Sequence, residues 1–417
     1  MVRTFKLVAV AAVVVAVALA AGPAGADWNA GIQLYNEGRF ADAMEYFQAT
    51  VKSNPNWPGG YLMLGRCQLA LKQYDEALVN LRRSVELGPD DPANVATLSR
   101  ALMAVDRHAE ARELLEGLDF ETLSPEWKTE VARMLARCLI VEDRAGDAVA
   151  LLEARLVDDP ENSALHQAVA GAHQAAGDRA AAVDHFARAF AINPSDHFSA
   201  RAATTTALSL AAAAGDDAVA AGYHRRALEI ATQLATAAPD YENALLAGEA
   251  ALGAREPEAA AEWFAAAVQS RPQEPLARFY LGRTLAALDH DDQAVTHLRA
   301  GLGAAPDDEL AVRIHGQLAR LLACDLELGE AARHYRAAGD SARAAEIEVL
   351  AASFNDALER LAKLRRDVTA LAGMEAEVEA LGDANGVAAL AGRREAMSRE
   401  IAAIEANLSE VRSALCR

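Results

Sequence analysis

A repeat period near 34 residues constrains this chain more than any other feature. Prolines recur as Pro55, Pro89, Pro160, Pro194, Pro239, Pro272 and Pro306, and three of the gaps between neighbours are 34 residues. Between them the same pattern returns, with an internal alanine at Ala43, Ala77, Ala111, Ala148, Ala182, Ala260, Ala294 and Ala331. Twelve residues before each alanine stands Gly31, Gly65, Ser99, Ala136, Ala170, Gly248, Gly282 or Ala319. Four residues after it stands Phe47, Leu81, Leu115, Leu152, Phe186, Phe264, Leu298 or Tyr335. This spacing predicts two helices per repeat. Small residues let the helix backbones approach, and the bulky residue one turn later fills the gap against the next repeat. Proline ends the second helix, while Gly or Asp, as in Asn36-Glu37-Gly38 and Gly177-Asp178, marks the internal turn. Residues are 52% apolar but only 5% aromatic, so Ala, Leu and Val build the core of an all-α fold.

Two stretches depart from the pattern. The third repeat lacks its closing proline and runs through Asp119 to Pro125, an insertion of three residues. Residues 197–240 form a longer repeat, spanning 45 residues from Pro194 to Pro239, with Ala227 as its anchor. It reads either as a joint between sub-arrays or as a repeat with lengthened helices.

Period, spacing and residue types resemble the tetratricopeptide repeat family; Tyr61-Leu62-Met63-Leu64-Gly65 followed by Ala77, Leu81 and Pro89 shows the match. The resemblance covers about three quarters of the chain, with repeats 1–5 in residues 27–196 and repeats 7–9 in residues 241–340. It implies a right-handed superhelical solenoid of helix-turn-helix repeats. The first helices would line a concave groove that holds peptides or protein segments, with no central catalytic cleft.

Counting each small residue as the eighth of its repeat, the ninth is Arg66, Arg100, Arg137, Arg283 or Arg320 in five of eight repeats, although only 35 of 417 residues are arginine. In arrays of this family that place tends to face the groove, and Arg133 lies one turn before Arg137 on the same face. Guanidinium groups grip carboxylates with paired hydrogen bonds, so the implied partner is another protein offering an acidic segment or a C-terminal carboxylate. The alternative is that these arginines pair with acids of adjacent helices. Trp28 and Tyr35 form either an aromatic anchor at the groove entrance or a cap on the solenoid's open end.

Arg3 and Lys6 precede an apolar run from Leu7 to Ala21, then Gly22, Pro23 and the triplet Ala24, Gly25, Ala26. This is the layout of a secretory signal peptide over residues 1–26, cleaved near Ala26; a retained anchor is the alternative. The expected location is a bacterial periplasm or the cell exterior, with no integral span in the mature chain. Net charge is −20, and −22 without Arg3 and Lys6, which argues against nucleic acid as a partner.

After Gly339-Asp340-Ser341 the pattern becomes heptad-like: Ile347, Leu350, Phe354, Leu361, Leu364, Val368 and Leu371, a break over residues 382–386, then Leu390, Met397, Ile401, Ile404, Leu408, Val411 and Leu415, with Arg394 interrupting the second series. Residues 341–417 therefore read as a coiled-coil-like helical pair. It closes within the chain, pairs with a second chain as a homodimer, or caps the last repeat.

No phosphate loop, dinucleotide fingerprint, nucleophile elbow or zinc-protease motif occurs, and no cofactor is implied. His290, Asp291 and Asp292 sit in a turn where polar residues belong, while His185, His297 and His334 fall at equivalent places that repetition explains; no metal set is read. Cys67 and Cys138 share one repeat position and read as buried small apolar residues, whereas Cys416 reads as exposed and able to bridge two chains. The function expected is a non-catalytic scaffold of the cell envelope. The alternatives are a structural oligomer built through residues 341–417, or an enzyme hidden in the irregular repeat.

Overall fold

The computed structural model describes residues 27–304, 306–381 and 383–416. The expected signal segment, residues 1–26, lies outside the described residues. Within them every regular element is helical: twenty α-helices and one 3-10 turn. The chain divides into two compact units, an N-terminal one ending at Asn193 and a C-terminal one beginning at Pro194.

The N-terminal unit holds five helix pairs: α1 (Trp28–Asn36) with α2 (Phe40–Ser53), α3 (Pro58–Ala70) with α4 (Tyr74–Leu87), α5 (Pro92–Met103) with α6 (His108–Glu116), α7 (Pro125–Val141) with α8 (Ala145–Asp158), and α9 (Ser163–Ala176) with α10 (Arg179–Ile192). The three-residue insertion before Pro125 folds as the 3-10 turn Phe120–Thr122. In the C-terminal unit, α11 (His197–Ala213) and α12 (Asp217–Ala237) are the long pair. After them come α13 (Tyr241–Gly253) with α14 (Pro257–Ser270), α15 (Pro275–Ala287) with α16 (Asp291–Gly303), and α17 (Asp308–Cys324) with α18 (Leu328–Ala337). Each recurrent proline of the sequence pattern lies two or three residues beyond a second helix, where it cannot continue the ladder.

All eight anchor alanines are completely buried, as is Ala227 of the long pair. Their role depends on the residue at the eighth place. A Cβ added to Gly65 would lie 2.5 Å from Leu81 Cγ, and one added to Gly248 only 2.4 Å from Phe264 Cε1. The bulky residue therefore sits over the small residue of its own repeat, and it packs against the next repeat as well: Phe47 clusters with Met63, Leu64 and Cys67, and Phe264 with Leu281 and Leu285. The internal turns share a second device. The fifteenth residue of every regular repeat has positive φ: Gly38, Lys72, Asp106, Asp143, Gly177, Arg255, Asp289 and Leu326. Only two of these are glycine, so most repeats carry a strained side chain at the turn.

The C-terminal pair is α19 (Ser341–Ala380) and α20 (Ala384–Leu415), and it closes on itself within one chain. The break is narrower than the sequence pattern predicts: helix resumes at Ala384, with Asp383 accepting hydrogen bonds from the amides of Asn385 and Gly386. Arg394 does not waste its place in the seam, since its guanidinium reaches Glu375 at 3.2 Å. Arg365–Glu405 at 2.7 Å and an Arg360–Glu400 pair tie the helices further along. At its base the pair packs on the last repeat: Ile347, Leu350, Phe354 and Leu415 join the cluster of Leu322, Leu328 and Ala331. Cys416 is exposed as expected, but its thiol shares a hydrogen bond with Cys324 of the same chain.

Candidate groove interface

In the N-terminal unit α1, α3, α5 and α7 each present the ninth residue of a repeat or its neighbours. Arg66 on α3 is half-buried and donates to Thr97 Oγ1 at 3.4 Å and to Met63 Sδ at 3.8 Å, both uncharged acceptors. Burial lowers the pKa of its guanidinium; nearby Tyr35 opposes that shift, Arg100 adds to it and Asp91 opposes it. Tyr35, Arg66 and Arg100 thus form one neighbourhood.

Farther along, Arg100 stands 3.7 Å from Glu130 Oε1, and Arg133 donates to Glu130 Oε2 at 3.3 Å. One carboxylate serves two guanidiniums, and such exposed pairs contribute under roughly 1 kcal/mol each. Arg137 is exposed on the same helix as Arg133. Trp28 packs edge-on against Phe47 at 5.0 Å and against Trp57, just before α3, at 4.5 Å. Tyr35 meets Phe40 edge-on at 5.3 Å.

The C-terminal unit fills the same register differently. Arg283 lies over the rings of Tyr280 at 5.1 Å and Phe279 at 5.7 Å. Glu249 occupies the ninth place of the preceding repeat. Burial raises its carboxyl above the ordinary value, against the hydrogen bond from Tyr280 and the charge of Arg283. Arg320 is exposed. The sequence reading missed Glu130, Glu249, Tyr280 and Trp57. Glu249 was within reach of the register, since it stands where five other repeats carry arginine.

Models of the tetratricopeptide repeat family match residues 34–93 and 69–129, and again residues 212–275 and 247–309. The chain is a tetratricopeptide repeat protein. Repeats of this family serve as protein-interaction scaffolds and their fold is typically non-catalytic. Among solved structures the chain is similar to the C-terminal part of a tetratricopeptide repeat-containing protein from Cytophaga hutchinsonii, at 13% identity and TM-score 0.47, over 61% of this chain and 99% of that one. It is also similar to a tetratricopeptide repeat protein from Parabacteroides merdae (16%, TM-score 0.40, 62% and 96%) and to YrrB, described as having an unusual peptide-binding site (16%, TM-score 0.34, 42% and 88%). No curated protein matches the chain. No described helix is long and apolar enough to cross a membrane.

Proposed function

We propose that this tetratricopeptide repeat protein is an exported scaffold of a bacterial envelope, and that the face carrying Tyr35, Arg66, Arg100, Arg133 and Arg137 holds an acidic segment or a C-terminal carboxylate of another protein. The single observation behind this reading is Arg66. Its guanidinium is half-buried, bonded to a hydroxyl and a thioether and close to Arg100, so its charge is met by neutral acceptors. An incoming carboxylate relieves the repulsion and gains charge-assisted hydrogen bonds, each worth about 1.5–3 kcal/mol. Export rests on the layout of residues 1–26.

The test compares the proteins cross-linked to the wild-type chain in bacterial envelope extract with those cross-linked to an Arg66→Glu, Arg100→Glu, Arg137→Glu variant. The captured segment is then assayed as a peptide with a free or amidated C-terminus. Loss of capture in the variant supports the reading; an identical catch removes the groove. Amidation that leaves affinity unchanged assigns recognition to acidic side chains instead of the terminal carboxylate.

A further inference from the structure

Three helices of the N-terminal unit bring Glu153 on α8, His173 on α9 and His185 on α10 together, and one ligand atom from each lies within 4.8 Å of the others. His173 Nε2 is already 3.3 Å from Glu153 Oε1. Two ligands on a tetrahedral zinc-type ion, with bonds of about 2.1 Å, stand about 3.4 Å apart, so this edge has the required length. The remaining edges are at most 4.8 Å, and Glu153 is exposed.

A fourth residue orients the set. His166 Nε2 lies 3.0 Å from the carbonyl oxygen of Pro160, which can only accept, so the proton is on Nε2. Nδ1 of the neutral His166 ring then accepts, and its partner at 3.0 Å, His185 Nδ1, must donate. The lone pair of neutral His185 is left on Nε2. A carbonyl that fixes one imidazole, which fixes a second, is the outer-shell arrangement that presents a ligating nitrogen to a metal.

We propose that Glu153, His173 and His185 bind a divalent late transition-metal ion of the zinc type, with His166 as a positioning residue behind His185. Two imidazoles and a carboxylate suit such an ion and leave a position for water. The chain also contains a built-in control. His315 and His334 stand at the places of His166 and His185 in another repeat, with Nδ1 atoms 2.7 Å apart. There Arg299 occupies the place of Glu153 and Leu322 that of His173. Arg299 donates to Glu330, which lies 3.6 Å from His334 Nε2, so a fixed cation stands where an ion would have to enter.

The test uses the untagged full chain, stripped with chelator, titrated with Zn²⁺ by calorimetry and with Co²⁺ by visible absorption. One tight equivalent is expected. Glu153→Gln, an exposed change that spares the fold, weakens it at least tenfold, and so does His173→Asn. His166→Ala weakens it 10- to 100-fold while the Co²⁺ bands keep their pattern. His315→Ala with His334→Ala leaves it unchanged. Failure to bind Zn²⁺ overturns the proposal, as does a tight equivalent that survives either Glu153→Gln or the His173→Asn, His185→Asn pair in a chain of normal helical content.

Discussion

In the N-terminal unit the pair His166–His185 faces Glu153, whereas in the C-terminal unit the pair His315–His334, at the same two places of the repeat, faces Arg299. The arginine register splits in a similar way: Arg66 meets Arg100 and neutral acceptors, while Arg283 stacks on aromatic rings beside Glu249. Cysteines repeat the contrast. Cys67 and Cys138 are buried fillers, the former pushed up to about 12 by burial, but Cys324 meets Cys416. The repeat fixes where a side chain stands, and the neighbours contributed by adjacent helices decide what it does there.

The largest expected consequence lies with the cysteines. Exposed to oxidised glutathione, Cys416 attacks first, because burial followed by the neighbouring thiol holds Cys324 up to about 12. The mixed disulfide then passes to Cys324. In balance, two protein thiols become one disulfide and one oxidised glutathione becomes two reduced ones. Closing a loop of this length stabilises the C-terminal unit by about 4.6 kcal/mol in the chain-entropy account. Non-reducing electrophoresis with peptide mapping checks it: the Cys324–Cys416 bridge within a monomer is expected. A disulfide-linked dimer, or a bridge involving Cys67 or Cys138, breaks the contrast.

Next in size is packing at the eighth place. Gly248→Val drives new methyl groups into the Phe264 ring and costs about 3 kcal/mol. Gly316 on α17 faces open space, and Gly316→Ala gains up to about 1 kcal/mol in helix propensity. Urea unfolding midpoints measure both, and equal responses would show that the small residues are not packing sites.

That difference explains how much could be read from the sequence. The anchor alanines, the eighth-place residues and the closing prolines repeat at a fixed spacing, and local periodicity is what sequence shows. Arg66 and Arg100 stand at one place of successive repeats for the same reason. The groups that set their chemistry come from other helices. Glu130 serves Arg100 from the following repeat, Glu153 reaches His173 from the preceding one, and Cys416 returns to Cys324 across the whole hairpin. The heptads foretold the hairpin of α19 and α20, but not the narrow turn at Asp383 or the ion pair that gives Arg394 a place in the seam.

A smaller effect is expected with pH in the C-terminal unit. Burial lowers the pKa of His315; burial and then His315 lower that of His334, with Glu330 opposing and Arg299 adding to the shift. Both folded values lie below the ordinary 6.5, so between the two the unfolded chain binds more protons. This contribution to stability is complete above about pH 6.5 and is lost as pH falls through the folded values. Unfolding midpoints across that range should fall on the acid side, and His334→Asn should flatten the slope. A slope that His334→Asn leaves unchanged would mean that His334 takes up its proton equally in both states.

The smallest effect concerns the internal turns. At the fifteenth place the regular repeats of the N-terminal unit include Gly38 and Gly177, but those of the C-terminal unit have Arg255, Asp289 and Leu326, all at positive φ. A left-handed conformation costs an ordinary side chain about 1–2 kcal/mol, and glycine returns roughly 0.5–1 kcal/mol of that as added freedom of the unfolded chain. Arg255 is exposed, so removing its side chain surrenders little packing. Arg255→Gly should therefore raise stability by about 0.5–1 kcal/mol, whereas Gly177→Ala, which imposes the same strain on a turn now free of it, should lower it by a similar amount. Paired denaturation curves decide the matter. If Arg255→Gly destabilises instead, the turn is held by contacts of the arginine, and the strain common to these repeats is offset by side-chain interactions at each site.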